Sequence, residues 1–274
     1  MLKQRVITGL ALLPVALCGV FLLPQEWFAI FIGAIITLAA WEWANLSGFS
    51  AVWQRVLYAA VTGGLLLCLF SLSVLPLSFL LGAGLVWWLV AVMLVISYPD
   101  SLAVWKPRIV QLIIGWLVLI PAWGGLVFLK SQGTPEFEQQ GNALILYVFV
   151  LVWGADVGAY FAGKTFGRRK LAPHLSPGKT WEGVLGGLLT ITLIALGVAW
   201  YRELGLFHAI GLLAMTWVVG LVSVLGDLLE SMFKRERGIK DSSSLLPGHG
   251  GIMDRIDSLT AAIPVFSVFW LLAS

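Results

Sequence analysis

Apolar runs separated by short polar connections repeat along the whole chain, near residues 6–23, 27–46, 56–75, 78–97, 109–130, 143–163, 182–200, 208–229 and 258–273. A helix of roughly 17 to 25 apolar residues crosses a ~30 Å hydrocarbon core, so the pattern predicts about nine transmembrane helices. The period-two alternation of a membrane barrel is missing. The expected fold class is therefore all-α, polytopic and membrane-integral. The first run follows Met1-Leu2-Lys3-Gln4-Arg5, as in a signal peptide, but no small-residue cleavage site precedes Pro24-Gln25-Glu26. The expectation is a retained first span.

Composition agrees, since a chain of 274 residues that is 59% hydrophobic and 11% charged has too little polar surface to cover a soluble globule. Charge adds orientation. With the amino terminus on the cytoplasmic side, the parity of nine spans puts all of the 17 Lys and Arg residues except Lys130 and Arg202 in cytoplasmic segments. One missed span would move the later basic clusters to the wrong side. Cys18 and Cys68 lie inside apolar runs and have neither ligand spacing nor a disulfide framework.

The halves differ in content. Residues 1–140, about five spans, contain no recognisable chemical motif. Trp41-Glu42-Trp43 and Trp87-Trp88 lie near span ends and read as an interfacial aromatic belt, with a structural polar contact as the alternative for Glu42. Gly63-Gly64 and Gly82 to Gly84 read as close helix packing, and such faces permit a dimer without requiring one. Glu136 and Glu138 make the external loop acidic. No internal repeat marks an inverted-repeat transporter.

Residues 141–274, about four spans, hold the chemistry, with cytoplasmic loops at 164–181 and 230–257. Asp156 falls inside the sixth run, where a carboxylate costs several kcal/mol unless it faces a polar cavity or partner. Arg168, Arg169 and Lys170 read as a topology anchor at anionic headgroups. Ser176-Pro177-Gly178-Lys179-Thr180 reads as a turn before a helix start, where N–H groups and an ammonium converge on an anion; it lacks the spacing of a Walker A loop.

If the eighth helix continues past its apolar run, Asp227, Ser231 and Lys234 or Arg235 share one face. Asp254 and Asp257, three apart, would share a face of the next helix and point back toward Asp227. Carboxylates converging from two helix ends make an oxygen-rich site suited to Mg²⁺ together with substrate phosphates. His249 is the one soft ligand nearby and reads equally as a turn-stabilising donor or as a phosphate contact or proton-transfer group. Gly248, Gly250 and Gly251 allow close backbone approach to a ligand. Arg237 reads as part of a positive-inside cluster, whereas Lys234 and Lys240 stand beside acids and the turn.

Three stretches carry a resemblance. S-x-F-K-R-x-x-G-I-K-D followed by P-G-H-G-G-I-x-D-R-I-D, spanning Ser231 to Asp257, resembles the signature of the phosphatidate cytidylyltransferases, or CDP-diacylglycerol synthases. D-x-x-A-Y-F-x-G-x-x-F-G from Asp156 and S-P-G-K-T-x-E-G from Ser176 are similar to the same family. About the last 120 residues are covered. The resemblance implies that CTP and phosphatidic acid give CDP-diacylglycerol and pyrophosphate, with Mg²⁺ and room for a second cation such as K⁺. It implies a catalytic set of Asp227, Asp254, Lys234, Lys240 and Asp257, and a metal held by Asp227, Asp254 and Ser231. Lys179, Ser176, Arg235, His249, Gly250 and Asp156 become substrate contacts. The expected setting is a bacterial inner membrane with cytoplasmic catalytic loops, and no nucleic-acid partner is expected. The rivals are a transporter and a CTP-dependent polyprenol or dolichol kinase.

Overall fold

The computed structural model describes residues 2–72, 76–133 and 139–273, with the side chains of all of these except 2–7 and 72. The helices are α1 (Leu2–Leu22), α2 (Gln25–Leu46), α3 (Val52–Leu72), α4 (Leu77–Ile96), the single turn α5 (Leu102–Trp105), α6 (Arg108–Lys130), α7 (Gln140–Phe166), α8 (Trp181–Tyr201), α9 (Leu206–Arg237) and α10 (Met253–Ala273). Among the described residues eight of them are long and apolar enough to cross a membrane, and α1 adds a shorter apolar stretch, Thr8–Leu22. The protein is an all-α polytopic membrane protein, as the hydropathy pattern predicts. In hydrocarbon every backbone N–H and C=O has to be satisfied within the segment, which leaves the helix as the form these runs adopt. Pro24, Pro76 and Pro107 stand immediately before α2, α4 and α6, where a residue with no N–H leaves no donor unpaired.

Missing side chains set the packing. A Cβ on Gly84 would lie 2.6 Å from Pro121 and 3.3 Å from Pro264, so this glycine lets α4 lie against α6 and α10 together. A Cβ on Gly63 would lie 3.1 Å from Thr37, whereas Gly64 and Gly82 face open space. One glycine of each predicted group serves close packing, and the other does not.

Two expectations change. Trp43, Trp87 and Trp88 are buried in the bundle rather than belted at its surface. Trp43 donates Nε1–H to the Gln111 carbonyl at 2.8 Å and packs with Trp105 around Phe233 of α9. A helix inside a bundle turns its aromatic residues to neighbouring helices, and hydropathy along one chain does not distinguish that face from a headgroup-facing one. Residues 176–180 are extended: β1 (Lys170–Ala172) pairs antiparallel with β2 (Ser176–Thr180), and the turn comes earlier, at 173–175. Thr180 then caps α8 by accepting from the Gly183 N–H at 3.1 Å, so the helix start is where the sequence puts it. As the shared face of Asp227, Ser231 and Lys234 requires, α9 runs on to Arg237 and stops at Gly238, in the left-handed conformation with φ +71°. Glu136 and Glu138 lie outside the described residues.

Candidate active site

The extra turns of α9 align its acid, hydroxyl and cation. Ser231 Oγ donates to Asp227 Oδ1 at 3.2 Å, one turn back. Lys234 Nζ lies 2.6 Å from Glu230 Oε2 and 2.8 Å from Asp254 Oδ1 at the start of α10. Gly226 sets how close the two helices come, because a Cβ there would lie 2.5 Å from the Asp257 carbonyl. Asp257 is thereby within electrostatic reach of Asp227, Lys234 and Lys179. The hairpin contributes from the other side: Lys179 Nζ meets Asp227 Oδ2 at 2.7 Å. Asp156 of α7 is within reach of Lys179, Asp227 and Arg255.

Two cavities meet at this cluster. One, of about 570 Å³, lies between α1, α2, α6, α7 and α10; its walls are mostly apolar, and its charged and imidazole groups are Asp156, His249, Asp254, Arg255 and Asp257. The other, of about 440 Å³, runs between α7, α8 and α9 along Gly163, Gly183, Gly187 and Gly220, with Lys164 and Lys179 beside it. Asp156 borders both.

The loop between α9 and α10 is densely tied. Asp254 Oδ2 accepts from Ser242 N (2.9 Å), Ser242 Oγ (2.9 Å) and Gly251 N (2.7 Å). Gly250 adopts φ +83°, and a Cβ there would lie 2.7 Å from Asp254 Oδ2, so the turn requires glycine at this point. The hairpin is anchored by Arg235, whose Nε–H donates to the Leu175 carbonyl at 2.9 Å, and by Glu182, which accepts from the Arg168 and Arg169 N–H groups.

Of the residues singled out in the sequence, Asp227, Ser231, Lys234, Asp254, Asp257, Asp156 and Lys179 come together. His249 borders the larger cavity and Gly250 shapes the turn beneath it. Ser176, Arg235 and Lys240 line neither cavity. Two further buried acids stand out: Glu230, one turn before Lys234 and 1% exposed, which the motifs did not single out, and Glu42 of α2, 0% exposed, for which the structure shows the polar contact that the sequence offered as an alternative. Both follow from the rule that singles out Asp156, since each is a carboxylate in or beside an apolar run.

With this geometry the chain can be set beside known proteins. The model of the cytidylyltransferase family matches residues 3–273. The chain belongs to that family. It is 55% identical to a phosphatidate cytidylyltransferase of Pseudomonas aeruginosa over 267 residues, covering 97% of this chain and 96% of the relative. A phosphatidate cytidylyltransferase of Haemophilus influenzae is 42% identical over 98% of this chain and 99% of its own length. One from Brucella suis is 32% identical over 98% and 93% respectively. As a cytidylyltransferase, the chain matches its relatives over its first half as well as its second, although the resemblance read from motifs covered only the second.

Proposed function

We propose that this protein transfers the cytidylyl group of CTP to phosphatidate, giving CDP-diacylglycerol and pyrophosphate, at the cytoplasmic face of a bacterial inner membrane. The observation that carries this reading is the meeting of a long apolar cavity with a cationic, carboxylate-rich cluster at Asp156. A lipid phosphate needs both: acyl chains kept out of water, and a headgroup held among charges. The larger cavity suits the acyl chains, with Arg255 and His249 at the headgroup level.

A phosphate oxygen of phosphatidate attacks the α-phosphorus of CTP. The new P–O bond forms as the bond from the α-phosphorus to the bridging oxygen breaks, and pyrophosphate leaves with that electron pair. The attacking phosphate is already anionic near neutral pH, so no side chain has to remove a proton. Positioning and charge compensation carry the rate. Lys179 is placed to exchange its partner, since its side chain and that of Asp227 are 25% and 30% exposed beside the cavities. Moving to a substrate phosphate would free the Asp227 carboxylate.

Five carboxyl groups (Asp156, Asp227, Glu230, Asp254, Asp257) share the cluster with three cations (Lys179, Lys234, Arg255), so acids outnumber bases there. Among the described residues no three acidic, imidazole or thiol groups converge to ligate a metal by themselves. That donor set fits Mg²⁺, which is held through one or two carboxylates and completed by substrate phosphates and water. Asp227, with Ser231 beside it, and Asp257 would hold it. Asp254, whose Oδ2 is filled by three donors, offers only the Oδ1 edge that it shares with Lys234. When bound, the ion would offset the negative charge that builds on the transferring phosphoryl group.

The test is turnover by the purified protein in phosphatidate-containing micelles. CTP loss that requires phosphatidate and Mg²⁺ and releases pyrophosphate is expected, with chelator abolishing it. A protein that consumes no CTP, as a transporter would not, overturns the reading. Release of CDP instead of pyrophosphate would identify a lipid kinase.

A further inference from the structure

Glu42 lies near the carboxy-terminal end of α2, in the half of the chain without motifs, and its side chain is inaccessible. Both of its oxygens are taken by the loop between α9 and α10. Oε1 accepts from Ser243 Oγ at 2.5 Å and Ile252 N at 2.9 Å; Oε2 accepts from Ser242 Oγ at 3.1 Å and Met253 N at 2.6 Å. Two of these donors are backbone N–H groups at the very start of α10, which have no partner within the helix. A buried carboxylate with four donors is held in one geometry, and so are the donors.

The same helix end grips the loop once more and the end of α9 once. Asn45 Nδ2 donates to the Ser242 carbonyl at 3.0 Å, and Arg237 Nε donates to the Asn45 carbonyl at 3.1 Å. Ser242 Oγ is the junction, because its single hydroxyl proton is shared between Glu42 Oε2 and Asp254 Oδ2. A continuous chain of contacts thus runs from Glu42 through Ser242 to Asp254 and Lys234. Gly251 has no side chain where the two meet: a Cβ there would lie 2.5 Å from Glu42 Oε1.

We infer that Glu42 is a positioning residue for the transfer reaction, a latch by which α2 fixes the Ser242–Met253 loop and, through Ser242, the Asp254–Lys234 pair. This role rests on the proposed cytidylyl transfer, in which the loop presents Asp254, Arg255 and Asp257 to the substrates. Glu42 itself touches no substrate. Its loss therefore lowers turnover without removing a phosphate contact, whereas a merely structural role would lower only the amount of folded protein.

Two measurements on the purified full-length chain decide it. The first is hydrogen exchange of Glu42→Gln without substrates, using the hairpin amides at 168–180 as the internal reference. Exchange at Ser242, Gly251, Ile252 and Met253 is expected to rise about tenfold or more while the hairpin and the other helices keep their protection. The second is steady-state kinetics per folded molecule: kcat falls about 100-fold, the size of effect that a 1 Å misplacement produces, while the KM for CTP stays within about threefold. Ser243→Ala, which removes one of the four donors, gives a weaker version of the same pattern. Unchanged loop exchange with normal kcat overturns the inference. So does a uniform rise in exchange with normal kcat per folded molecule. If Glu42→Gln does not fold, Ser242→Ala and Ser243→Ala decide, and normal turnover and protection in both reject the latch. If the wild type makes no CDP-diacylglycerol, the proposed function fails, and the exchange result still stands for or against the latch.

Discussion

Lys179 and Lys234 each meet a carboxylate of α9, and their surroundings divide the site into a part that moves and a part that does not. Lys179 pairs with Asp227 at 2.7 Å where both side chains are a quarter or more exposed. Lys234 pairs with Glu230 and Asp254 where the three are 13%, 1% and 5% exposed. A partly exposed pair is screened by solvent, contributes less than a buried one, and is more readily exchanged for another partner. A buried one is held firmly, because separating it strands charge in a low-dielectric interior. The difference implies that the hairpin cation serves substrate directly, whereas the α9 cation holds the frame in which substrate is received.

Lys234→Met should give the largest effect. It leaves Glu230 and Asp254 buried without a cation, which costs about 3–5 kcal/mol when one partner of a buried pair is removed. Thermal denaturation in detergent should show a large loss of stability, with no detectable CDP-diacylglycerol. A variant with wild-type melting would show that Lys234 is not the frame. Asp227→Asn should separate the two effects: turnover falls about 100- to 1000-fold, the scale of a lost group that stabilises transition-state charge, yet the melting temperature changes little. Near-normal turnover would refute the assignment of Asp227 as a ligand for Mg²⁺. Lys179→Ala should come next, with the KM for CTP or phosphatidate raised about 10- to 50-fold and stability within about 1 kcal/mol of wild type. If Lys179→Ala instead melted as early as Lys234→Met, the division into moving and fixed parts would be wrong.

Hydropathy showed where the chain crosses the membrane because burying apolar helix surface in lipid depends on residue type alone. The same holds for Asp227, Ser231 and Lys234, which share a face by helix spacing, and for Asp254 and Asp257, which begin α10 one turn apart. For Glu42 the polar contact was only the alternative reading, because its partners stand some 200 positions away and nothing in Trp-Glu-Trp distinguishes a buried carboxylate from one at the headgroups. Trp43 and Trp88 were misread for the same reason. The hairpin escaped because Ser-Pro-Gly-Lys-Thr has the composition of a turn, while its extended form depends on pairing with Lys170 to Ala172. What sequence left out is thus contact between distant segments, and that is where the α2 latch lies.

The smallest effect should come from Glu182→Gln. Glu182 sits in the first turn of α8 and accepts from the Arg168 and Arg169 N–H groups at 3.0 and 3.2 Å, closing the hairpin over the helix start. Glutamine keeps one acceptor oxygen but turns an NH₂ group toward a second N–H, so the hairpin loosens without coming undone; β1 still pairs with β2, and Arg235 still holds Leu175. The expected outcome is a two- to threefold rise in the KM for CTP with melting unchanged. If Glu182 acts on substrate only by way of Lys179, this rise should disappear in a Lys179→Ala background, where the lysine that would be misplaced is gone. Additive effects in the double variant would mean that the hairpin contributes something other than its lysine, and that Lys179 is not the only group by which this loop meets the nucleotide.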